Sequence, residues 1–488
     1  MTGKATNRLM TGVAGLDDIL HGGLIPGRSY LIRGVPGTGK TILGFHFLTA
    51  GLDADETVLF INLEEPTADI KSNAGTLGFD LSGVDFLDLS PTSEFFATDQ
   101  SYSIFEADDV EDESMRERIR ERVEALDPDR VFLDPVTQFR YLASDDFQFR
   151  KEVLSFMRYL KENQATVLFT SQQSASAPDD DLQFFADGII ELDRESDKRT
   201  LSVPKFRGSD KESGTHSMRI GDGGLSVYPL LDPGEHTVAF EDGQLQSGVD
   251  SFDSLLGGGI ERGTISVLSG PTGVGKTTTG TLFLREAARQ GEKSVIYHFE
   301  ESARTFRQRC EAMGIAVSDL EADGTLTVDE REALNQSPEE FAASVRQHVE
   351  TRDVSVVMID GIEGYKLSIQ GRQDELTGKL HALGRYLKNM GVTVIFIDEV
   401  DTVTGPFQAT NAGISYLADN VIFLRHLEMN SELRKVIGVL KKRVGTFEKQ
   451  LREFEMTATG IHIGPPLTDV QGILQGNPTV HGPPTSDD

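Results

Sequence analysis

Short apolar runs alternate with amphipathic stretches along the chain. The apolar runs are nearly continuous, as expected of strands buried on both faces of a sheet. The stretches between them include RKEVLSFMRYLKEN (150–163) and LTGKLHALGRYLKNMG (376–391), whose spacing predicts helices. The pattern therefore predicts an α/β fold, with a mostly parallel sheet flanked by helices. The predicted strands are SYLIRG, TVLFIN, RVFLDP, ATVLFT and GIIELD in the first half, and TISVLSG, SVIYHF, VSVVMID, GVTVIFID and NVIFLR in the second.

The same pattern is present twice. The opening TGVAGLDDILHGGLIPGRSYLIRGVPGTGKT is repeated as SGVDSFDSLLGGGIERGTISVLSGPTGVGKT, with Lys40 and Lys276 lying 236 residues apart. Glu64 follows the first lysine by 24 residues, and Glu300 follows the second by the same 24. A later basic motif, PKFRG in one half and LKKRV in the other, keeps the offset of 236. A register kept across these motifs indicates a tandem duplication.

The duplication predicts two domains, for which 488 residues are sufficient. The segment LLDPGEHTVAFEDGQLQ lies between the repeats, and the last residues are rich in Pro, Gly and polar side chains. We therefore expect a first domain at 1–232, a linker at 233–246, a second domain at 247–463 and a flexible tail at 464–488.

Composition restricts the environment and the partners. The net charge is −31, from 78 acidic and 47 basic residues, and such a surface repels the phosphate backbone of nucleic acid. The charge suits a haloarchaeal or other high-salt cell and equally an ordinary acidic cytosolic protein, and it does not separate them. The single cysteine, Cys310, excludes an internal disulfide framework and a Cys-based zinc site. No apolar run of about 18 residues and no signal-peptide pattern are present, so a cytoplasmic location is expected.

Two segments predict phosphate binding. GVPGTGKT (34–41) and GPTGVGKT (270–277) both fit G-x-x-x-x-G-K-[ST], each after an apolar strand and before a predicted helix. In such a loop the backbone N–H groups surround phosphate oxygens, the lysine contacts the β- and γ-phosphates and the threonine hydroxyl binds Mg²⁺. The candidate nucleotide-binding residues are Gly34, Gly37, Thr38, Gly39, Lys40 and Thr41 in the first half, and Gly270, Gly273, Val274, Gly275, Lys276 and Thr277 in the second.

Carboxylates at the ends of apolar strands complete the predicted ATP sites. Asp134 in VFLDP and Asp360 in VVMID are placed to hold Mg²⁺ together with Thr41 and Thr277. The alternative is that each Asp caps the helix that follows it.

Two adjacent glutamates follow the second strand of each half. They are Glu64 and Glu65 in the first half, and Glu300 and Glu301 in the second. ATP hydrolysis needs a carboxylate that orients and deprotonates the attacking water, and one Glu of each pair suits this role. A solvated acidic turn is the alternative.

Basic pairs occur late in each half of this acidic protein. They are Lys205 with Arg207, and Lys441 with Arg443. Their distance along the chain from their own phosphate loops suits cations that contact the γ-phosphate of ATP on a neighbouring subunit. A surface salt-bridge cluster is the alternative.

Together these motifs resemble those of the KaiC family of duplicated ATPases, from Thr11 to about Ile463. The openings TGVAGLDDIL and SGVDSFDSLL are part of the resemblance. It implies two tandem RecA-like P-loop domains in a homohexamer of stacked rings, with ATP at the subunit interfaces. It also implies that Glu64 and Glu300 are the bases and that the basic pairs act in trans.

The resemblance further suggests a phosphoacceptor in the second half. In ATNAGISYLADN (409–420), Ser415 matches a phosphorylated serine of the family, whereas Tyr416 stands where the family has threonine. The first half offers no hydroxyl in the matching LQFFADG. Ser415 is therefore a candidate phosphoacceptor, and an ordinary helix-side hydroxyl is the alternative. Asp398 and Glu399 have no assigned role.

We therefore expect an ATP- and Mg²⁺-dependent ATPase that acts in regulation or signal transduction, with serine autokinase activity as a further expectation. Regulatory or signalling proteins are its expected partners. One alternative is a RecA-like recombinase or DNA motor, which would need basic and aromatic loops that the sequence does not show. The other is a nucleotide-binding scaffold with negligible turnover.

Overall fold

A computed structural model of the protein describes residues 8–91, 93, 107–141, 143, 145–172, 181–195, 198–239, 242–331, 336–367, 373–400, 410, 415–429, 431–457, 460–468, 470–475 and 479–480. The chain divides into two compact units, Met1–Leu230 and Leu231–Asp488. Within the segment 409–420, Thr410 and residues 415–420 are described, and the others lie outside the described residues. In the predicted tail, residues 481–488 lie outside them as well.

The first unit contains a nine-stranded sheet in the order β3-β2-β4-β5-β1-β6-β7-β8-β9. The strands from β3 to β6 in this order are parallel, and β7, β8 and β9 continue the sheet in antiparallel fashion. The strands are β1 (Ser29–Arg33), β2 (Val58–Asn62), β3 (Asp85–Asp88), β4 (Arg130–Asp134), β5 (Thr166–Thr170), β6 (Gly188–Glu195), β7 (Lys198–Phe206), β8 (Thr215–Gly221) and β9 (Gly224–Tyr228).

Helices cover this sheet on both faces. One apolar cluster contains residues of the helix Lys40–Asp53, and the other contains residues of the helix Asp146–Glu162. Strands β1, β2 and β5 are buried along their whole length, which explains their unbroken apolar runs. The helices are Ala14–Ile19, Lys40–Asp53, Thr67–Thr76, Ala107–Leu126, Asp146–Glu162 and Leu182–Phe185, with a 3₁₀ turn at Val136–Tyr141.

The second unit repeats this arrangement. Its main sheet has the order β14-β13-β15-β16-β12-β17-β18-β19-β20, again parallel from β14 to β17 and antiparallel beyond. Two short antiparallel pairs, β10 with β11 and β21 with β22, lie outside it. The strands are β10 (Gln244–Leu245), β11 (Ile260–Glu261), β12 (Ile265–Gly270), β13 (Lys293–His298), β14 (Leu326–Glu330), β15 (Val354–Asp360), β16 (Thr393–Glu399), β17 (Asn420–Met429), β18 (Glu432–Lys442), β19 (Arg452–Thr457), β20 (Gly460–Pro466), β21 (Val470–Gln471) and β22 (Thr479–Val480).

The helices of the second unit pack on the two faces of its main sheet through two apolar clusters. They are Asp250–Leu255, Lys276–Arg289, Ala303–Ala312, Val317–Ala322, Pro338–Arg352, Ile362–Leu367 and Gln373–Asn389, with 3₁₀ turns at Pro233–Glu235 and Ile473–Gln475. Among the described residues, no helix combines the length and the apolar character that a membrane span requires.

The predicted fold class is confirmed: each half is a mostly parallel sheet flanked by helices, as in tandem RecA-like domains. The parallel strands fix the position of the candidate sites. Each phosphate loop follows the central strand, β1 or β12, and the candidate acidic residues follow or end other parallel strands of the same sheet. Since the carboxyl ends of parallel strands share one edge of a sheet, these residues are brought together there.

Candidate nucleotide sites

In each phosphate loop the glycine directly before the lysine has left-handed backbone geometry. Gly39 (φ +101°) precedes the helix Lys40–Asp53, and Gly275 (φ +116°) precedes the helix Lys276–Arg289. A Cβ atom at Gly275 would lie 2.4 Å from Met456 Sδ, so both conformation and space favour glycine there. The loop thereby presents the first N–H groups of each helix toward an anion, where the helix dipole adds positive potential.

The lysine of each loop is buried and bonded to its own loop. Lys40 is 8% exposed and its Nζ donates to the carbonyl oxygen of Gly34 over 2.8 Å. Lys276 is 6% exposed and donates to the carbonyl of Pro271 over 2.9 Å. Its Nζ also lies 3.5 Å from Glu399 Oε2. Burial lowers the pKa of Lys276, and the negative charge of Glu399 opposes that effect.

In each half a loop hydroxyl contacts the strand-end aspartate. Thr41 Oγ1 donates to Asp134 Oδ2 over 2.6 Å, and Thr277 Oγ1 donates to Asp360 Oδ1 over 3.1 Å. Asp134 accepts a second hydrogen bond at Oδ1, from the hydroxyl of Thr170. Burial nevertheless raises the pKa of Asp134. A hydroxyl and a carboxylate side by side are the oxygen donors that Mg²⁺ prefers, so both pairs fit this ion.

The two glutamates of the first half have different surroundings. Glu64 Oε2 accepts a hydrogen bond of 2.6 Å from Gln172 Nε2, and Gln172 lies two residues after the end of strand β5. Partial burial raises the pKa of Glu65, and the negative charges of Asp134 and Glu64 raise it further. Glu64 is therefore positioned by a neutral donor, whereas Glu65 experiences repulsion from the aspartate of the site.

The two glutamates of the second half have different neighbours from those of the first half. Glu301 Oε2 forms an ion pair of 2.5 Å with Arg309. Burial raises the pKa of Glu300, with further contributions from the negative charges of Glu399 and Asp360. Glu300 thus experiences the negative charges of Glu399 and Asp360, and Glu301 is paired with a cation.

The first basic pair lies beyond the central strands. Strand β7, which carries Lys205, is separated from strand β1 by β6. Lys205 Nζ donates to the carbonyl of Gln183 over 2.6 Å. Burial and the neighbouring charge of Arg207 lower the pKa of Lys205.

The second basic pair contacts the segment that carries Ser415. Lys441 Nζ donates to the carbonyl of Ser415 over 3.0 Å, and Arg443 donates to the carbonyl of Tyr416 over 2.9 Å. Arg443 also pairs with Asp419 over 3.2 Å. The backbone of the half-buried Ser415 is therefore held by Lys441, and that of the next residue by Arg443.

Residues at equivalent positions of the two halves differ in ways that the motifs do not show. The offset of 236 residues places His298 where the first half has Asn62. The pairing of β5 with β1 and of β16 with β12 makes Gln172 equivalent to Glu399, and Thr170 equivalent to Ile397. The first difference was visible in the sequence. The other two needed strand pairing, because the halves differ in length before these positions.

Comparisons with known proteins agree with the duplicated architecture. A family model described as "ATPase: KaiC" matches the chain twice, over residues 9–232 and 245–468. The circadian clock oscillator protein KaiC of Acaryochloris marina is 26% identical over 485 residues, which cover 97% of this chain and 91% of that protein. The circadian clock protein KaiC3 of Synechocystis is 27% identical over 489 residues, which cover 96% of this chain and 94% of that protein.

Proposed function

The chain belongs to the KaiC family, and on that premise we propose that both halves bind ATP with Mg²⁺ and hydrolyse it. The observation that carries this proposal is the contact between a phosphate-loop hydroxyl and a strand-end carboxylate, present in both halves as Thr41 with Asp134 and Thr277 with Asp360. A loop used only as a structural turn would not need a metal-binding pair in each copy.

In the proposed reaction, water attacks the γ-phosphorus in line with the leaving oxygen. Glu64 in the first half and Glu300 in the second orient this water and accept its proton. Mg²⁺, when bound, neutralises charge on the β- and γ-phosphate oxygens. Lys40 and Lys276 exchange their loop carbonyls for phosphate oxygens and stabilise the charge that develops in the transition state.

Subunit assembly extends the proposal. We assign the chain to a homohexamer in which Lys205, Arg207, Lys441 and Arg443 contact ATP bound to a neighbouring subunit. The relatives named above are clock proteins. We propose that this protein acts in regulation, through regulatory partners in the cytoplasm, with domains at 1–232 and 247–463. Ser415 is proposed as an acceptor of the γ-phosphate in the second half.

The test follows γ-labelled ATP with the purified chain and Mg²⁺ in high potassium chloride. We expect label to be released as phosphate, with partial loss in Lys40→Ala or Lys276→Ala and complete loss in the double variant. Label retained on the protein and removed by Ser415→Ala would support the autokinase. ATP binding without any release would instead favour a nucleotide-binding scaffold and would overturn the assignment of the glutamates.

A further inference from the structure

His298 is a buried histidine at the edge of the second nucleotide site. Its side chain is fully buried at the end of strand β13. Within the described part of the chain, neither of its ring nitrogens forms a hydrogen bond. The ring packs against Phe306, with centroids 4.4 Å apart. Buried polar groups normally have a hydrogen-bond partner, so an imidazole without one needs an explanation.

The imidazole is directed toward two carboxylates. His298 Nδ1 lies 3.1 Å from Asp360 Oδ2, the oxygen that does not bond Thr277. Ligand atoms of His298, Glu301 and Asp360 all lie within 4.8 Å of one another. The distance of 3.1 Å is that of an ion pair when the imidazole is protonated. It is also close to the separation of about 3.0 Å between neighbouring ligands on an octahedral ion with bonds of about 2.1 Å, so a neutral imidazole and Asp360 are spaced to share a metal ion.

We propose that His298, Glu301 and Asp360 form a binding site for a first-row transition-metal ion, such as Mn²⁺, that does not require nucleotide. One imidazole nitrogen with two carboxylates favours such ions over Mg²⁺, which prefers an all-oxygen shell. The site is specific to the second half and adds to the proposed ATPase function without depending on it.

The first half differs from this site at the histidine and in the surroundings of the aspartate. Asn62 replaces the histidine and donates to the backbone carbonyl of Glu65 over 2.8 Å. Both oxygens of Asp134 are occupied by hydroxyl donors, from Thr41 and Thr170. In the second half Ile397 stands in place of that second threonine and has no hydroxyl to offer. Asp360 therefore keeps one oxygen directed at the imidazole.

Arg309 and the proposed metal ion compete for the carboxylate of Glu301. Its guanidinium pairs with Glu301 and also donates to Thr278 Oγ1 over 2.9 Å. Because Arg309 has this second acceptor, Glu301 can rotate toward the ion while the guanidinium keeps a partner. Metal binding is thus expected to loosen the pair of Arg309 with Glu301.

The test is a Mn²⁺ titration of the full nucleotide-free chain, followed by electron paramagnetic resonance in a large excess of Mg²⁺. The excess removes Mn²⁺ from ordinary surface carboxylates. We expect one bound Mn²⁺ per chain with a nitrogen hyperfine coupling from a directly bound imidazole. His298→Asn should lower the affinity by at least about tenfold and remove the coupling. Asparagine is tolerated at the equivalent position of the first half, so this variant should fold.

Two further variants make the result decisive. Asn62→Ala should leave both the stoichiometry and the nitrogen coupling unchanged, because the first half does not form the site. Glu301→Gln should weaken binding and keep the coupling of the Mn²⁺ that remains bound. The proposal is overturned if no Mn²⁺ stays bound in excess Mg²⁺, or if His298→Asn binds it with the same affinity and the same coupling. A histidine that only orients Asp360 would give a bound ion without nitrogen coupling, and that result also overturns it.

Discussion

Gln172 donates a hydrogen bond of 2.6 Å from Nε2 to Oε2 of Glu64, the candidate base of the first half. The equivalent residue of the second half is Glu399, which cannot donate from a carboxylate and instead faces Glu300 as a like charge. Glu399 also lies 3.5 Å from the phosphate-loop lysine, Lys276. The two sites thus share their motifs but differ in the charge beside the base.

We predict that Glu399→Gln tightens ATP binding by the second half. The carboxylate of Glu399 competes with phosphate oxygens for Lys276 and repels the anionic ligand. Because Glu399 is 37% exposed, solvent screens much of its charge, and the gain should be about two- to fivefold. Nucleotide titration in a Lys40→Ala background isolates the second half.

The matched control is Gln172→Glu in a Lys276→Ala background. It introduces the second half's carboxylate into the first half and should weaken ATP binding there. Equal affinities for Glu399→Gln and the parent would show that the carboxylate is displaced at no cost when ATP enters.

The negative charge of Glu399 beside Glu300 also predicts a difference in pH dependence between the two halves. Burial, Glu399 and Asp360 raise the pKa of Glu300, so this base remains protonated up to a higher pH than an ordinary glutamate. Hydrolysis by the second half should therefore fall as the pH drops through this raised pKa. Glu399→Gln removes one negative charge, lowers the pKa of Glu300 and should move the acidic limb to lower pH. A pH–rate profile with the first half silenced checks this, and an unmoved limb would rule out Glu300 as the titrating base.

Much of the architecture was predictable because it depends on local pattern. Buried parallel strands need unbroken apolar runs, and a phosphate loop needs glycines where the backbone has positive φ, as at Gly275. The roles of Gln172 and Glu399 were not predictable from motifs. They depend on which strand lies beside the phosphate loop, and this order is set by tertiary packing of β5 and β16.

His298 illustrates a different limit of the sequence. Its equivalence with Asn62 follows from the repeat, but burial is what makes the histidine unusual. A histidine at the end of an apolar strand is compatible with a hydrogen-bonded core residue. Only the structure shows that Nδ1 lies 3.1 Å from Asp360 Oδ2 and that neither ring nitrogen has a hydrogen-bond partner among the described residues.

A stability difference is predicted for the aspartates near the start of each half. Asp17 accepts one hydrogen bond, from the Thr11 N–H, and burial raises its pKa to about 6. Asp253 accepts two, from the N–H groups of Ser247 and Gly248. The folded state therefore favours the protonated form of Asp17, so the contribution of Asp17 to stability should decline by up to about 3 kcal/mol as the pH rises from about 4 to 6.

Asp17→Asn should abolish that decline and stabilise the first half at neutral pH by about 1 kcal/mol, since the amide oxygen still accepts from Thr11. Asp253→Asn should destabilise the second half by about 1 kcal/mol, because an amide nitrogen cannot accept the bond from Gly248. Urea unfolding at acidic and neutral pH measures both. A loss of stability in Asp17→Asn at neutral pH would mean that the charge is compensated in the folded protein.

Two glycines of the second phosphate loop separate the effect of backbone strain from that of a steric clash. Gly275 has a φ of +116° and an added Cβ would lie 2.4 Å from Met456 Sδ, whereas Gly273 has a φ of +70° and no atom within 4 Å of an added Cβ. Gly275→Ala should abolish nucleotide binding by the second half. Gly273→Ala should weaken that binding by about 1 kcal/mol, from backbone strain alone. Nucleotide titration in the Lys40→Ala background compares them, and equal losses would show that strain dominates.

The last prediction concerns which glutamate of each pair accepts the proton. Burial and the negative charges of Glu399 and Asp360 raise the pKa of Glu300, which suits a group that accepts a proton, whereas Glu301 forms an ion pair of 2.5 Å with Arg309. Glu300→Gln should lower phosphate release by the second half by about 10²–10⁴-fold with ATP binding retained. Glu301→Gln keeps a hydrogen-bonding partner for Arg309 and should lower phosphate release by the second half far less. If Glu301→Gln proved the more damaging of the two, the ion pair with Arg309 would have to open in the ATP-bound state, and Glu301 rather than Glu300 would be the base.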